Sequence, residues 1–187
     1  MIVLIIGDIH IPYKSSEIPE KFKNLFQQGK IDYLICTGNL TTKSTLDYLK
    51  TITKEIYIAR GDSDDDELGF ELENSLQIES FKIGLIHGHQ VVPWDDSKTL
   101  SIFQKKMGTD ILIYGNTHES KVFKLEEKLY INPGSLTGAY HPTQLDTIPS
   151  FVVLDIQKDS LTSYIYKLKD GEVNVEKFTH KKEPLNN

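Results

Sequence analysis

The sequence predicts an α/β protein whose first part is a parallel βαβαβ unit and whose remainder is antiparallel. Three observations carry that prediction. Apolar, β-branched runs alternate with helical segments from Ile2 to Ala59, the pattern of strands joined by crossover helices. Beyond the acidic stretch Asp62–Glu67 the runs are joined mainly by short turns, which predicts hairpins and a closing meander. Five runs also end in a polar cluster, most of them beside glycine.

Ile2-Val3-Leu4-Ile5-Ile6 is an unbroken apolar run, as expected of a strand buried on both faces. It ends at Gly7, and Asp8 and His10 follow at once. Side chains two apart on an extended segment point the same way, so a carboxylate and an imidazole are expected to converge there. Open α/β sheets place ligands at that edge, and an oxygen with a nitrogen suits a divalent transition metal. Taken alone, the pair could equally close and cap a turn.

A helix is expected from about Pro19 to Gly29, with Phe22, Leu25 and Phe26 on one face. Tyr33–Cys36 is the second strand, ending in Thr37-Gly38-Asn39, and a helix through Leu46 and Leu49 follows, capped by Ser44. Glu55–Ala59 is the third strand and ends in Arg60-Gly61-Asp62. The acidic run after it reads as a solvated loop in which only Asp62 shares a site with Asp8. Leu76–Ile78 and Phe81–Ile86 form a hairpin that ends in His87-Gly88-His89. Asp95 or Asp96 caps a helix to about Met107, with Leu100 and Phe103 inward. Ile111–Tyr114 is a further strand, followed by Gly115-Asn116-Thr117-His118. Val122–Leu125 with Leu129–Ile131 make a second hairpin, and Asn132-Pro133-Gly134-Ser135 a turn. Phe151–Ile156, Leu161–Leu168 and Glu172–Phe178 close the chain as the meander.

At 187 residues the chain is expected to form one domain over 1–180, with a frayed tail over 181–187. A formal charge of -6 and the absence of any Lys/Arg run argue against nucleic acid as a partner. Cys36, the only cysteine, lies in an apolar run and reads as a core residue of a reducing compartment. The opening apolar run is too short to span a membrane and lacks a basic flank. A cytoplasmic protein is expected.

Asp8/His10, Asn39, Asp62, His87 and Asn116/His118 form a series at five strand ends. As Gly7-Asp8-Ile9-His10, Gly38-Asn39, Gly61-Asp62-Ser63-Asp64, His87-Gly88-His89 and Gly115-Asn116-Thr117-His118, it resembles the motif set of the calcineurin-like metallophosphoesterases. The resemblance implies a metallophosphoesterase-type double β-sheet sandwich flanked by helices, with two metal ions at the strand ends. A closer resemblance spans nearly the whole chain. Lys82 to Gln90, Pro93-Trp94, Ile131 to Ser135, Gly138-Ala139-Tyr140 and Pro149 to Val152 are similar to the small subunits of retromer, the coat that retrieves cargo from endosomes.

Both resemblances bear on catalysis. A two-metal hydrolase holds its ions roughly 3.5–4 Å apart around an activated water. The family bridges them with aspartate where this chain has the neutral Asn39, and carries asparagine where this chain has Asp62. Ser63 stands where the family has the histidine that assists the leaving group, a role worth about 10²–10⁴ in rate. Asn116 replaces an imidazole of the second metal site, and a neutral amide oxygen is a poor ligand for zinc-like ions. The expected metal set is Asp8, His10, Asn39, Asp62, His87 and His118, weak or single-site, with Asn39 marginal. No cofactor is expected to be required, and at most one weakly bound zinc or manganese ion. His89, His141 and His180 read as turn or surface histidines.

The reading that follows is a non-catalytic scaffold, peripheral on endosomal membrane through its complex; the alternative is an active metal-dependent phosphodiesterase or phosphatase. A free-standing binding module is a third possibility. An apolar stretch ending in the only tryptophan follows the metal-site loop, and the resemblance implies that this face is covered by the large α-solenoid retromer subunit. Ile11, Pro12, Val92 and Trp94 are the expected anchors. Both faces of the meander are partly apolar, which a simple half-solvated antiparallel sheet would not need. The resemblance implies a second patch there for membrane-traffic regulators, matched by Ile2, Leu25, Val153, Tyr164, Tyr166 and Val175.

Overall fold

A computed structural model describes residues 1–182. Strand β1 (Ile2–Ile6), helix α1 (Glu20–Gln28), β2 (Tyr33–Cys36), α2 (Lys43–Leu49) and β3 (Ile56–Ile58) form the expected βαβαβ unit. β1 pairs with β2 and β2 with β3, both in parallel. After a 3-10 turn at Asp66–Leu68 come β4 (Glu73–Ile78), β5 (Phe81–Ile86), α3 (Ser97–Met107), β6 (Ile111–Ile113), β7 (Ser120–Leu125) and β8 (Lys128–Pro133). The meander is β9 (Ser150–Gln157), β10 (Ser160–Lys169) and β11 (Glu172–Lys181). Lys181, expected to fray, ends β11 opposite Ser160. The rest of the expected tail, from residue 183, lies outside the described residues.

The strands make two sheets, ordered β11-β10-β9-β1-β2-β3 and β4-β5-β6-β8-β7. The first is completed by an antiparallel pairing of β1 with β9 across the whole chain. Val3, Ile5, Ile35, Val152 and Leu154 face Ile83, Leu85, Ile111, Ile113 and Ile131 in a shared core. The alternate residues Leu4, Ile6, Leu34 and Cys36 pack outward with Phe22, Phe26 and Leu49 of the helices. On the other outer face Ile86, Leu112 and Tyr130 pack with Leu100 of α3. β1 and β2 therefore bury both their faces, which is why they read as continuous apolar runs. Cys36 is fully buried, and burial pushes its thiol pKa up.

Two local expectations change. α2 is capped by Thr42, whose hydroxyl accepts the Thr45 amide, while Ser44 lies inside the helix. Thr42 has the extended backbone of a cap residue, and Ser44 lies two residues past it, inside the first turn. At α3 the cap is Asp96, which accepts from Thr99, while Asp95 instead takes the Tyr114 hydroxyl and Lys121. Asn132 and Pro133 belong to β8 rather than to the turn.

Phe151 is the pivot of the first sheet's outer layer. Its ring meets Phe22 and Phe26 edge-on, with centres 4.7 and 5.0 Å away, and stacks on Tyr166 at 4.6 Å. Phe151→Ala should therefore lower the unfolding free energy by about 3–5 kcal/mol, measured by urea denaturation at equilibrium.

Candidate functional site

The carboxyl ends of β1, β2, β3, β5 and β6 meet at one end of the sandwich, because the strands that carry them run in parallel within each sheet. Each chain turns away sharply there. Asp8, His10, Asn39, Asn116 and His118 all have positive φ, between 48° and 73°. Asp8 and His10 thus converge through two left-handed residues rather than along an extended strand, as alternation alone implied. The turn is fixed by backbone bonds from Asp8 N to Gly38 O and from His10 N to Asn39 O. Non-glycine residues in this region are strained, and Asp, Asn and His tolerate it best. Gly61 approaches Asn39 so closely that any β-carbon would fall on the Asn39 carboxamide.

Asp8, His10 and His118 are buried, and their ligand atoms lie within 4.8 Å of one another. His118 Nδ1 donates to Ala139 O at 2.6 Å, which leaves the Nε2 lone pair facing His10 Nε2 at 3.2 Å. Two imidazole nitrogens on one tetrahedral ion with bonds of about 2.0–2.1 Å stand roughly 3.4 Å apart, close to this spacing. Asp8 Oδ1 is buried, accepts no hydrogen bond among the described residues, and sits 3.5 Å from His118 Nε2. A fixed tautomer with a carbonyl behind it and an unsatisfied carboxylate oxygen in front suit a borderline divalent ion. Burial, then the neighbouring His118, push the His10 pKa down to about 3, so the ring stays uncharged.

The second group is Asp62, His87 and His89, again within 4.8 Å. His87 Nδ1 donates to Thr37 O at 2.7 Å, and its Nε2 lies 3.2 Å from Asp62 Oδ1. Burial opposes charge on His87, but Asp62, Asp8 and the Thr37 carbonyl outweigh it and hold its pKa above the ordinary value. The same His87 contact, against burial, holds the Asp62 carboxyl well below the usual carboxylate range.

Asn39 lies between the groups and differs from expectation. Its Oδ1 accepts the Ser63 amide at 2.9 Å, so the nitrogen faces the ligands. That nitrogen reaches His10 Nε2 at 3.3 Å, Asp62 Oδ1 at 3.0 Å and His87 Nε2 at 3.2 Å. An amide N–H group has no lone pair for a metal, so Asn39 as placed is a hydrogen-bond donor rather than a ligand. The bridging position does not fit the two-metal scheme, whereas the Asp8–His10–His118 triad fits one ion. Asn116 gives its backbone amide to Asp8 Oδ2, and its side-chain nitrogen is buried without a partner among the described residues.

Three residues matter more than the sequence disclosed. Asp64, read as part of a solvated run, accepts the amides of Asn39, Gly61 and Thr41 at 2.7–2.9 Å and ties two strand ends together. His141, read as a turn or surface residue, is only 5 % exposed and stands between His118 and Trp94, its ring centre 5.2 Å from each. His89, which reads as a turn histidine, offers a ring nitrogen within 4.8 Å of the Asp62 and His87 ligand atoms. His180 is also buried, against Phe81, far along the chain in β11. A aspartate three residues from a strand-end glycine was the available signal for Asp64; nothing local marked the histidines.

Beside this bowl the expected anchors are unequally placed. Val92 is 72 % exposed and Trp94 45 %, with the Trp94 indole donating to His89 O. Pro12 is exposed, whereas Ile11 is half-buried against the helix-side core. On the far face Tyr164 pairs across strands with Val153, and Tyr166 with Val175. Ile2, Leu25, Val153, Tyr164 and Tyr166 are half-buried and Val175 is exposed. Among the described residues no helix is long and apolar enough to cross a membrane.

Residues 1–159 match the model of the calcineurin-like phosphoesterase superfamily domain. Vacuolar protein sorting-associated protein 29 of Schizosaccharomyces pombe is 40% identical over 186 residues, covering 97% of this chain and 99% of that protein. The structure of Vacuolar Protein Sorting 29 from Cryptosporidium parvum is 40% identical with a TM-score of 0.93, covering 97% of this chain and 98% of that one. Wild-type Vps29 of Entamoeba histolytica, complexed with zinc, is 43% identical with a TM-score of 0.91, covering 96% and 99%.

Asp64→Ala would leave three amide groups of the site unpaired. It should cost about 1–3 kcal/mol in chemical denaturation and speed hydrogen exchange at Asn39, Gly61 and Thr41 selectively.

Proposed function

The chain belongs to the calcineurin-like phosphoesterase superfamily and, within it, to the vacuolar protein sorting-associated protein 29 family, and from that premise we propose that it is a non-catalytic scaffold subunit of the retromer coat. The observation that carries the reading is the direction of the Asn39 carboxamide. A two-metal phosphoesterase is well served by an anionic oxygen between its ions. Here that position holds an amide NH2 group within hydrogen-bond reach of His10, Asp62 and His87. The leaving-group position holds Ser63, whose hydroxyl cannot act as a general acid near neutral pH.

A divalent ion of the zinc or manganese class would be held weakly by Asp8, His10 and His118, and it is not required for assembly. If bound, it would supply Lewis-acid charge at the floor of the bowl; the relative from E. histolytica is known with zinc. His87 and Asp62 complete the polar wall.

The large α-solenoid subunit docks on this same end, with Val92 and Trp94 as the principal anchors and Pro12 and Ile11 at the rim. Exposed apolar side chains around a buried polar bowl are the arrangement of a protein interface rather than of a surface left in water. Membrane-traffic regulators dock on the far face at Ile2, Leu25, Val153, Tyr164, Tyr166 and Val175. The two tyrosines offer broad apolar contact with little rotamer entropy to lose. The protein then reaches the endosomal membrane from the cytoplasm as part of the complex.

Two experiments test the reading. Pure protein should show no turnover of phosphomonoesters or phosphodiesters with added manganese or zinc; turnover abolished by Asp8→Ala would establish the enzymatic alternative. In pull-downs, Val92→Asp should remove solenoid binding and spare regulators, since an unpaired buried carboxylate costs several kcal/mol. Tyr164→Asp should do the opposite, and loss of both partners in either variant would mean a folding defect rather than a docking one.

A further inference from the structure

The second cluster retains more ligand capacity than the loss of an imidazole at Asn116 implies. We propose that Asp62, His87 and His89 form a binding site for a zinc-class ion, in which His89 supplies the imidazole that Asn116 does not.

Two imidazoles sharing a tetrahedral ion, each with a bond of about 2.0–2.1 Å, have ring centres roughly 5.2 Å apart. His87 and His89 have ring centres 5.3 Å apart with planes inclined at 42°. A carboxylate oxygen and an imidazole nitrogen on such an ion are roughly 3.4 Å apart, and Asp62 Oδ1 stands 3.2 Å from His87 Nε2. One ligand atom from each of the three residues lies within 4.8 Å of the others.

The second support is unsatisfied polarity. His89 Nδ1 is buried and has no hydrogen-bond partner among the described residues. Leaving a ring nitrogen dry and unpaired is unfavourable, and ligation through that atom would satisfy it. His87 is already held for ligation, because its Nδ1 is committed to the Thr37 carbonyl. His89 is also fixed on its backbone side, since its carbonyl accepts the Trp94 indole N–H at 3.3 Å. The same short segment therefore serves the cluster with its side chain and the exposed tryptophan with its backbone.

Asn39 sets the strength of the site. Its amide donates to both Asp62 Oδ1 and His87 Nε2, the lone pairs that an ion would take. Binding gives up those two contacts, so the ion is held less tightly than three ligands alone would hold it. Asp62 is exposed, which leaves the site open on the solvent side for a fourth, water ligand. An imidazole-rich donor set with a single carboxylate favours zinc or cobalt over magnesium or calcium.

The test is zinc titration of the pure protein against a chromophoric chelator, with cobalt as a spectroscopic substitute. Wild type should take up zinc at the Asp8–His10–His118 triad and at this second site. His89→Gln should leave uptake at the triad unchanged and weaken the second site at least about tenfold, the least that loss of a direct ligand costs. Adding Asn116→His to that variant should restore it. In wild-type protein the His89 ring resonances should shift with the second equivalent of zinc, a readout that needs no variant. Unchanged affinity in His89→Gln, or His89 resonances that do not move, would overturn the proposal. Equal thermal stability of the variants in chelator separates a lost ligand from a lost fold.

Discussion

One carboxamide holds the polar end of this protein together. The Asn39 nitrogen donates toward His10, Asp62 and His87, and its oxygen takes the Ser63 amide. Four segments from the ends of different strands are thus joined through a single side chain. A carboxylate in the same place would set three lone-pair acceptors against a negative charge and would call for cations between them. The amide instead offers the same acceptors two neutral N–H donors. What a hydrolase would achieve with bound ions, this fold achieves in part with hydrogen bonds.

That arrangement rests on a backbone held in an unfavourable region. Five of the site residues have positive φ, and such conformations persist only where the surroundings over-determine them. Here the surroundings are visible. Asp64 gathers three amides from two strand ends. Ser135 donates to Asp8 O and accepts from Ala139, whose own carbonyl fixes His118. The sandwich beneath is rigid because both sheets bury an apolar face against each other and another against helices. Strain at the rim is therefore carried by a close-packed body.

The exposed apolar residues are not scattered at random over the surface. Val92 and Trp94 stand on the loop that leaves the site at His89, and His141 wedges Trp94 against His118. Trp94 is therefore joined to the bowl by direct ring contacts through His141. On the far side, α1 covers the sheet only as far as Phe151, whose ring is enclosed by Phe22, Phe26 and Tyr166. Beyond it Tyr164 and Val175 continue the apolar surface into solvent.

The sequence by itself determined the strands and helices, their parallel-then-antiparallel order, and six polar residues of the bowl. It could do so because burial on both faces leaves unbroken apolar runs, and glycine punctuates their ends. The pairing of β1 with β9 was not legible, since nothing local records which distant strand an edge will meet. Nor was the convergence of Asp8 with His10, which follows from left-handed turns bonded to Gly38 and Asn39 rather than from strand alternation. Tertiary structure alone decided which atom of Asn39 faces the ligands, because the Ser63 amide that orients it arrives from another strand end. It also decided that Asp64 is a structural acceptor, and that His89 and His141 stand beside the cluster rather than away from it. Residue type sets which bonds a side chain can make; only packing sets which partners come within reach.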